Sequence, residues 1–265
     1  MTQFEDLPEG CIAAILSRTT PVDAGRFSLV SNTFHSAADS DAVWNQFLPS
    51  DSHVMDSIIS DSPSLANVPS KKALYLALSD RPIIIDNGLK SFQLDRKSGK
   101  ICYMLGARSI SIAWVHDERY WKWTTMPNSR FREVAELLDV CWLEFCGTIN
   151  TIALSPNTEY AAYVVFNMFN PRRFQNSPVE LSVFVDGGHS STKIVCFDPN
   201  VEESSHNRVE GLQCPNVRSD GWLEIEMGEF FNSGIENEEV QMKVLENDSY
   251  WKSGLIVEGI EVRPK

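Results

Sequence analysis

The sequence predicts a two-part α and β protein, with a small N-terminal group of three helices ahead of an antiparallel β-sandwich. Two observations carry this. Apolar residues recur at helical spacing through roughly the first fifty positions and then change to alternation. Beyond position 85, short β-rich runs are separated by turn residues at modest intervals, the pattern of an antiparallel sandwich. With 265 residues, 43% of them hydrophobic, the chain is long enough for one large domain or two unequal ones and can bury a core, though three short helices alone bury little surface.

The first helix is predicted from Pro8, which suits a first helical position, and from Cys11, Ile12, Ile15 and Leu16 at helical spacing. Thr20-Pro21-Val22-Asp23 is a second start, a capping hydroxyl with Pro just inside and a carboxylate three residues on. Ala24, Phe27 and Val30 form its apolar stripe. A third helix begins near Ser40-Asp41 and buries Val43, Trp44, Phe47 and Leu48. Residues 49–69 are rich in Pro, Ser and Asp and read as linker, with Val54, Met55, Ile58 and Ile59 marking a weak helix. Ser70 caps a short helix over 71–79 that presents Leu74 and Leu78 and ends at Arg81-Pro82. The expected division is 1–48 for the helical module, 49–84 for the linker with its short helix, and 85–265 for the β domain.

Alternation then marks strands at 91–95 and 101–105 around a Lys97-Ser98-Gly99-Lys100 turn, and at 110–114, 140–145, 160–166, 181–185, 193–197, 222–227, 240–245 and 255–262. The stretch 132–138 fits helix or strand equally.

Charge and composition exclude several functions. Lys and Arg number 23 against 36 Asp and Glu, and the net charge of −13 is spread along the chain, a field that repels phosphate backbones and argues against nucleic-acid binding. Met1-Thr2-Gln3-Phe4-Glu5-Asp6 lacks the basic start and apolar run of a signal peptide, and no segment approaches the roughly 18 apolar residues of a membrane span, so a cytosolic or nuclear protein without membrane attachment is expected. Without a secretory route, the acceptor pattern Asn247-Asp248-Ser249 carries no weight. Cys11, Cys102, Cys141, Cys146, Cys196 and Cys214 form no Cys-x-x-Cys pair and read as reduced, buried thiols.

Catalytic and cofactor signatures are missing as well. There is no Gly-x-Ser-x-Gly elbow and no Gly-rich phosphate loop. His35, His53, His116, His189 and His206 have no partner at metal-ligand spacing. His116-Asp117-Glu118 reads as a solvated loop and Gly187-Gly188-His189 as a turn. No catalytic residue, metal site or cofactor is assigned.

The run Leu7-Pro8-Glu9-Gly10-Cys11-Ile12 with Ile15-Leu16, followed by Val30-Ser31 and closed by Val43-Trp44, resembles an F-box. That resemblance implies docking on a Skp-type adaptor and through it on a cullin-based ubiquitin ligase. Leu7, Pro8, Ile12, Ile15, Leu16, Val30 and Trp44 would supply adaptor-facing or module-core positions, two roles that the sequence leaves unsorted. A helical cap packed on the β domain is the alternative, and it would leave no large apolar patch exposed.

In the β domain, Ile112-Ala113-Trp114, Tyr120-Trp121-Lys122-Trp123, Val140-Cys141-Trp142-Leu143-Glu144, Asp220-Gly221-Trp222-Leu223-Glu224 and Tyr250-Trp251-Lys252-Ser253-Gly254 together resemble the phloem protein 2 family, whose lectin relative is the tobacco agglutinin Nictaba. The likeness spans most of 85–265 and is weakest between about 171 and 218. It implies a jelly-roll-like lectin sandwich, with Trp114 and Trp121 stacking on a sugar and Glu239 and Glu246 accepting its hydroxyls. Independently, a pyranose needs an exposed aromatic ring for its C–H face and a carboxylate or amide for its rim. An indole in a β protein is also ordinary core, the reading given to Trp142, Trp222 and Trp251. The expected function is a non-catalytic substrate receptor of a Skp–cullin–F-box ligase that takes a glycan or glycoprotein ligand. Two alternatives stay open: a cytoplasmic lectin without ligase role, and a receptor whose β domain binds polypeptide.

Overall fold

Thr20 begins the second helix as its position predicts, its hydroxyl accepting the Asp23 amide at 3.2 Å while Pro21 occupies the first turn. The structure, a computed structural model, describes residues 7–50, 52–174, 177–188, 190–199 and 211–265. His189 of the expected turn, and His206, lie outside them. By internal contacts the chain divides into two compact units, Met1–Ile85 with Phe92–Cys102, and Asp86–Ser91 with Tyr103–Lys265.

In the first unit, α1 (Glu9–Leu16), α2 (Pro21–Phe27), α3 (Asn32–Asp39) and the single turn α4 (Asp41–Trp44) follow one another closely. Pro8 stands at the cap of α1, one position before the first turn. Sequence reading passes over α3, which Ser31 caps by accepting the Phe34 amide and which buries Phe34, Ala37 and Ala38. Trp44 is core, its indole N–H donating to the Ala38 carbonyl at 2.6 Å.

The stretch expected as linker is built into this unit. After α5 (Ser52–Asp61) and a 3-10 turn at Pro63–Asn67, α6 (Lys71–Asp80) buries Leu74, Tyr75 and Leu78. The Tyr75 ring lies 5.1 Å from Trp44, and its hydroxyl sits 3.2 Å from the carbonyls of Asp95 and Arg96. Both helices lie where the apolar spacing at 54–59 and 71–79 placed them, and it is their packing into the unit that differs from a linker. The strand β1 (Ile83–Ile85) follows. Next come β2 (Lys90–Leu94) and β3 (Ile101–Gly106), and the tip between them clusters with the helices, although its alternation assigned it to the β domain. Gly99 there has φ 73°, and a Cβ would approach Pro21 to 3.2 Å.

The second unit is a two-layered antiparallel β-sandwich. Its strands are β4 (Ser111–Ile112), β5 (Trp121–Thr124), β6 (Val134–Leu137), β7 (Leu143–Asn150), β8 (Thr158–Arg172), β9 (Val179–Val185), β10 (Ser190–Val195), β11 (Asn216–Val217), β12 (Leu223–Asn232), β13 (Glu239–Glu246) and β14 (Ser253–Pro264). One sheet runs β3-β14-β8-β12-β11, with β6 also on β14 and β5 on β6; the other runs β10-β9-β13-β7-β4. The ambiguous stretch 132–138 therefore forms a strand over its middle, β6, held by Ile256 opposite Glu136.

Inward residues alternate with outward ones along β7, β9 and β13, as a half-buried sheet requires. Between the sheets Phe166 and Phe197 stack at 4.4 Å, and Phe174 lies 6.3 Å from Phe197. Each such ring stabilises by about 1.5–3 kcal/mol relative to exposure.

Of the cysteines, Cys196 is buried, and burial pushes its thiol up to about 12. Cys11 and Cys141 are exposed and the other three half-buried, which corrects the expectation of uniformly buried thiols. No helix among the described residues is long and apolar enough to cross a membrane.

Candidate functional site

On the helical unit the structure sorts core from surface. Ile12, Leu16 and Trp44 are buried and hold the helices together. Ile15 is 42% exposed and Val30 57%, Pro8 is exposed and Leu7 half-buried. Phe27 and Leu29, neither among the expected contacts, add apolar surface, with Leu29 at 85% exposure. The backbone places them: α2 ends at Phe27, and the following turn is closed by Leu29 N–H to Arg26 O and Val30 N–H to Phe27 O. A helical unit that leaves these side chains in water has apolar area available for a partner.

On the β unit three connections meet at one end of the sandwich, 113–120 between β4 and β5, 138–142 between β6 and β7, and 247–252 between β13 and β14. Ala113 N–H donates to Glu144 O at 2.9 Å and Leu138 N–H to Tyr120 O at 2.8 Å, while Val140 and Lys252 exchange bonds of 3.0 and 2.7 Å. Trp114 is 61% exposed and has φ 64°, a left-handed conformation that stores on the order of 1 kcal/mol in a bulky residue. Its carbonyl accepts the Asp117 amide, and the Asp117 carbonyl accepts those of Tyr120 and Trp121. Arg119 forks onto Asp117, with a shortest contact of 2.6 Å, and holds that carboxyl down at about 2. The Trp114 ring meets Tyr120 edge-on at 6.2 Å, and Tyr120 stacks beside Trp251 at 6.4 Å. Half-exposed Trp251 and Trp142 extend this aromatic rim, and the Trp142 indole donates to Glu144 at 2.8 Å.

Three of the four residues assigned to sugar contact are placed otherwise. Trp121 is 2% exposed, because it opens β5 on the inward side, and its indole N–H is spent on Ala113 O at 2.9 Å. Glu246 is buried against Lys252. Glu239 is exposed but opens β13 opposite Asn150, whereas Glu246 closes the strand opposite Leu143. Seven residues of strand put roughly 23 Å between them. Trp114 alone of the four presents its side chain at the rim. Conversely Trp142 and Trp251, expected in the core, are exposed, while Trp222 is buried with its N–H on Asn128 O. Position gave a usable signal: Trp142 precedes the first alternating residue of β7, and Trp251 follows the polar turn Asn247-Asp248-Ser249.

Lys252, fully buried, donates to the carbonyls of Cys141, Asp248 and Tyr250 at 3.1, 2.9 and 2.7 Å and pairs with Glu246. Burial pulls its ammonium down toward about 8, against which the Glu246 carboxylate and the three carbonyls favour the charged form. Among the described residues no group of three His, Cys, Asp or Glu side chains is arranged to hold a metal ion.

The phloem protein 2 family model matches residues 100–264, well over half the chain. The chain belongs to this family. An F-box domain model matches residues 4–46 of the same phloem protein 2 chain. The F-box protein PP2-B10 of Arabidopsis thaliana is 43% identical over 265 residues, covering 98% of this chain and 94% of its own length. The F-box protein VBF of the same plant is 40% identical, covering 98% and 99%. The chain is thus an F-box phloem protein 2 protein along nearly its whole length, and its helical start and β-sandwich follow the order of that arrangement.

Proposed function

We propose that this chain is a non-catalytic substrate receptor of a Skp–cullin–F-box ubiquitin ligase, working in the cytosol or nucleus. Its helical unit docks a Skp-type adaptor through Leu7, Pro8, Ile15, Phe27, Leu29 and Val30, and through the adaptor reaches a cullin. The supporting observation is the exposure of Pro8, Ile15, Phe27, Leu29 and Val30 beside a core already closed by Ile12, Leu16 and Trp44. Catalysis is by proximity, the receptor holding a target lysine near ubiquitin-charged partners. Pull-down of a Skp-type adaptor by the full chain tests this. Val30→Asp with Leu29→Asp should abolish capture and leave the circular-dichroism spectrum unchanged; undiminished capture overturns the reading.

The β unit selects the target at the aromatic rim of Trp114, Tyr120 and Trp251, and a glycan is the ligand we assign. About 100 Å² of ring surface covered per indole is worth ~2.5 kcal/mol before association costs, so single-glycan affinity falls in the ~mM to µM range and multivalency matters. A second reading, polypeptide recognition by the same rim, is favoured by the burial of Trp121 and Glu246. A multivalent glycan array separates the two: retention lost in Trp114→Ala supports the glycan, and a blank array supports the polypeptide.

A further inference from the structure

The rim is made of loops, and loops hold an aromatic surface in one arrangement only if something ties them. Lys252 has the chemistry for that. An ammonium offers three N–H donors and no acceptor. Here they face one carbonyl on the 138–142 connection, from Cys141, and two on the 247–252 connection, from Asp248 and Tyr250. Two of these carbonyls adjoin a half-exposed indole, Trp142 after Cys141 and Trp251 after Tyr250. Glu246 completes the arrangement from the end of β13: one carboxylate oxygen pairs with the ammonium, and the other accepts the Asp248 amide at 3.0 Å, folding the chain back at the turn. The backbone of Lys252 is itself bridged to Val140 in both directions. A buried ion pair is seldom the most stabilising filling for a site, and an apolar pair of similar volume often does as well. What it supplies is direction, since carbonyls turned toward one cation fix the path of both loops.

We propose that Lys252, with Glu246, is the positioning residue of the rim: it turns two loops inward around one cation and so makes Trp142 and Trp251 face outward at a fixed separation. This rests on reading the rim as the ligand surface. Glu246 then acts on the ligand through Lys252 and the loop, without touching it.

The test uses the full chain labelled with 5-fluorotryptophan, its seven indole resonances assigned by single Trp→Phe changes. The variant is Lys252→Met with Glu246→Gln, which removes both charges and strands neither. The Trp142 and Trp251 resonances should move to the shift of solvated 5-fluorotryptophan, while those of Trp44, Trp121 and Trp222 stay. Unchanged Trp142 and Trp251 resonances overturn the proposal. Should all seven collapse through unfolding, hydrogen exchange of the unaltered chain decides: the amides of Val140, Asp248 and Lys252 should exchange at least about tenfold slower than an unstructured chain, and unprotected amides overturn it. Glycan-array retention is read in parallel. Full retention by Trp251→Ala would refute the rim as ligand surface, while the fluorine spectra still judge the loop tie on its own.

Discussion

Trp114 and Trp121 differ by seven positions and by almost everything else that matters energetically. Trp121 fills core and satisfies its N–H, so Trp121→Ala should cost about 3–5 kcal/mol in urea unfolding. Trp114→Ala removes a water-facing ring held at φ 64°, and stability should change by no more than about 0.5 kcal/mol. At this scale the sequence was least legible. Residue types around Trp114, Tyr120 and Trp121 announce an aromatic site, but whether an indole faces water depends on which residue opens β5, a one-position question that alternation over four residues does not settle. Trp142 sits one step before β7 and Trp251 two steps before β14, where strand alternation no longer sets the face and position outside the strand is the readable signal.

Elements are joined by a buried ionic cluster remote in sequence. Glu261 of β14 accepts from Arg130 and Arg218, both at 2.6 Å, and from Arg263 at 3.1 Å, while Arg218 and Arg263 also reach Glu224 of β12. Burial pushes the Glu261 carboxyl up, but the guanidinium charges outweigh it and hold the group at about 2, below its ordinary 4.5. Its folded value lies below its unfolded one, so its stabilisation is present above about pH 4.5 and is lost as pH falls toward 2. Urea midpoints measured across that window should drop, and Arg218→Met should cost about 3–5 kcal/mol at neutral pH by leaving carboxylates unpaired. Glu258, also on β14, behaves oppositely. Burial raises its carboxyl despite bonds from Ser129 Oγ and the Arg130 amide, so it stabilises below its unfolded value and loses that contribution as pH rises through its folded one. Glu258→Gln should therefore gain stability relative to the parent as pH is raised from 4 to 8. Most strands were readable from alternation, because one face of each is apolar. Contacts such as Arg218 to Glu261 were not, since nothing local in a charged residue states which distant strand it meets.

At the scale of the molecule, helices first and a β-sandwich after are plain in the periodicities, but the border is not a single cut. Residues 92–102 belong with the helices, where Phe92 and Leu94 are buried and Gln93 donates to Ser79 O at 3.0 Å. A fragment ending at 84 should melt lower than one ending at 105, by circular dichroism, because it lacks those side chains and the carbonyls beside the Tyr75 hydroxyl. The stretch 49–84 read as linker because Pro and Ser dominate its turns, while Trp44 and Tyr75, thirty-one positions apart, decide that it packs. The two exposed thiols add a practical handle. Cys11 lies one helical turn from Ile15 on α1, and Cys141 adjoins Trp142. The native chain thus carries an attachment point for a maleimide dye at each surface, so engagement of either one is open to read as shielding from alkylation, and handling without reductant invites covalent dimers through the same atoms.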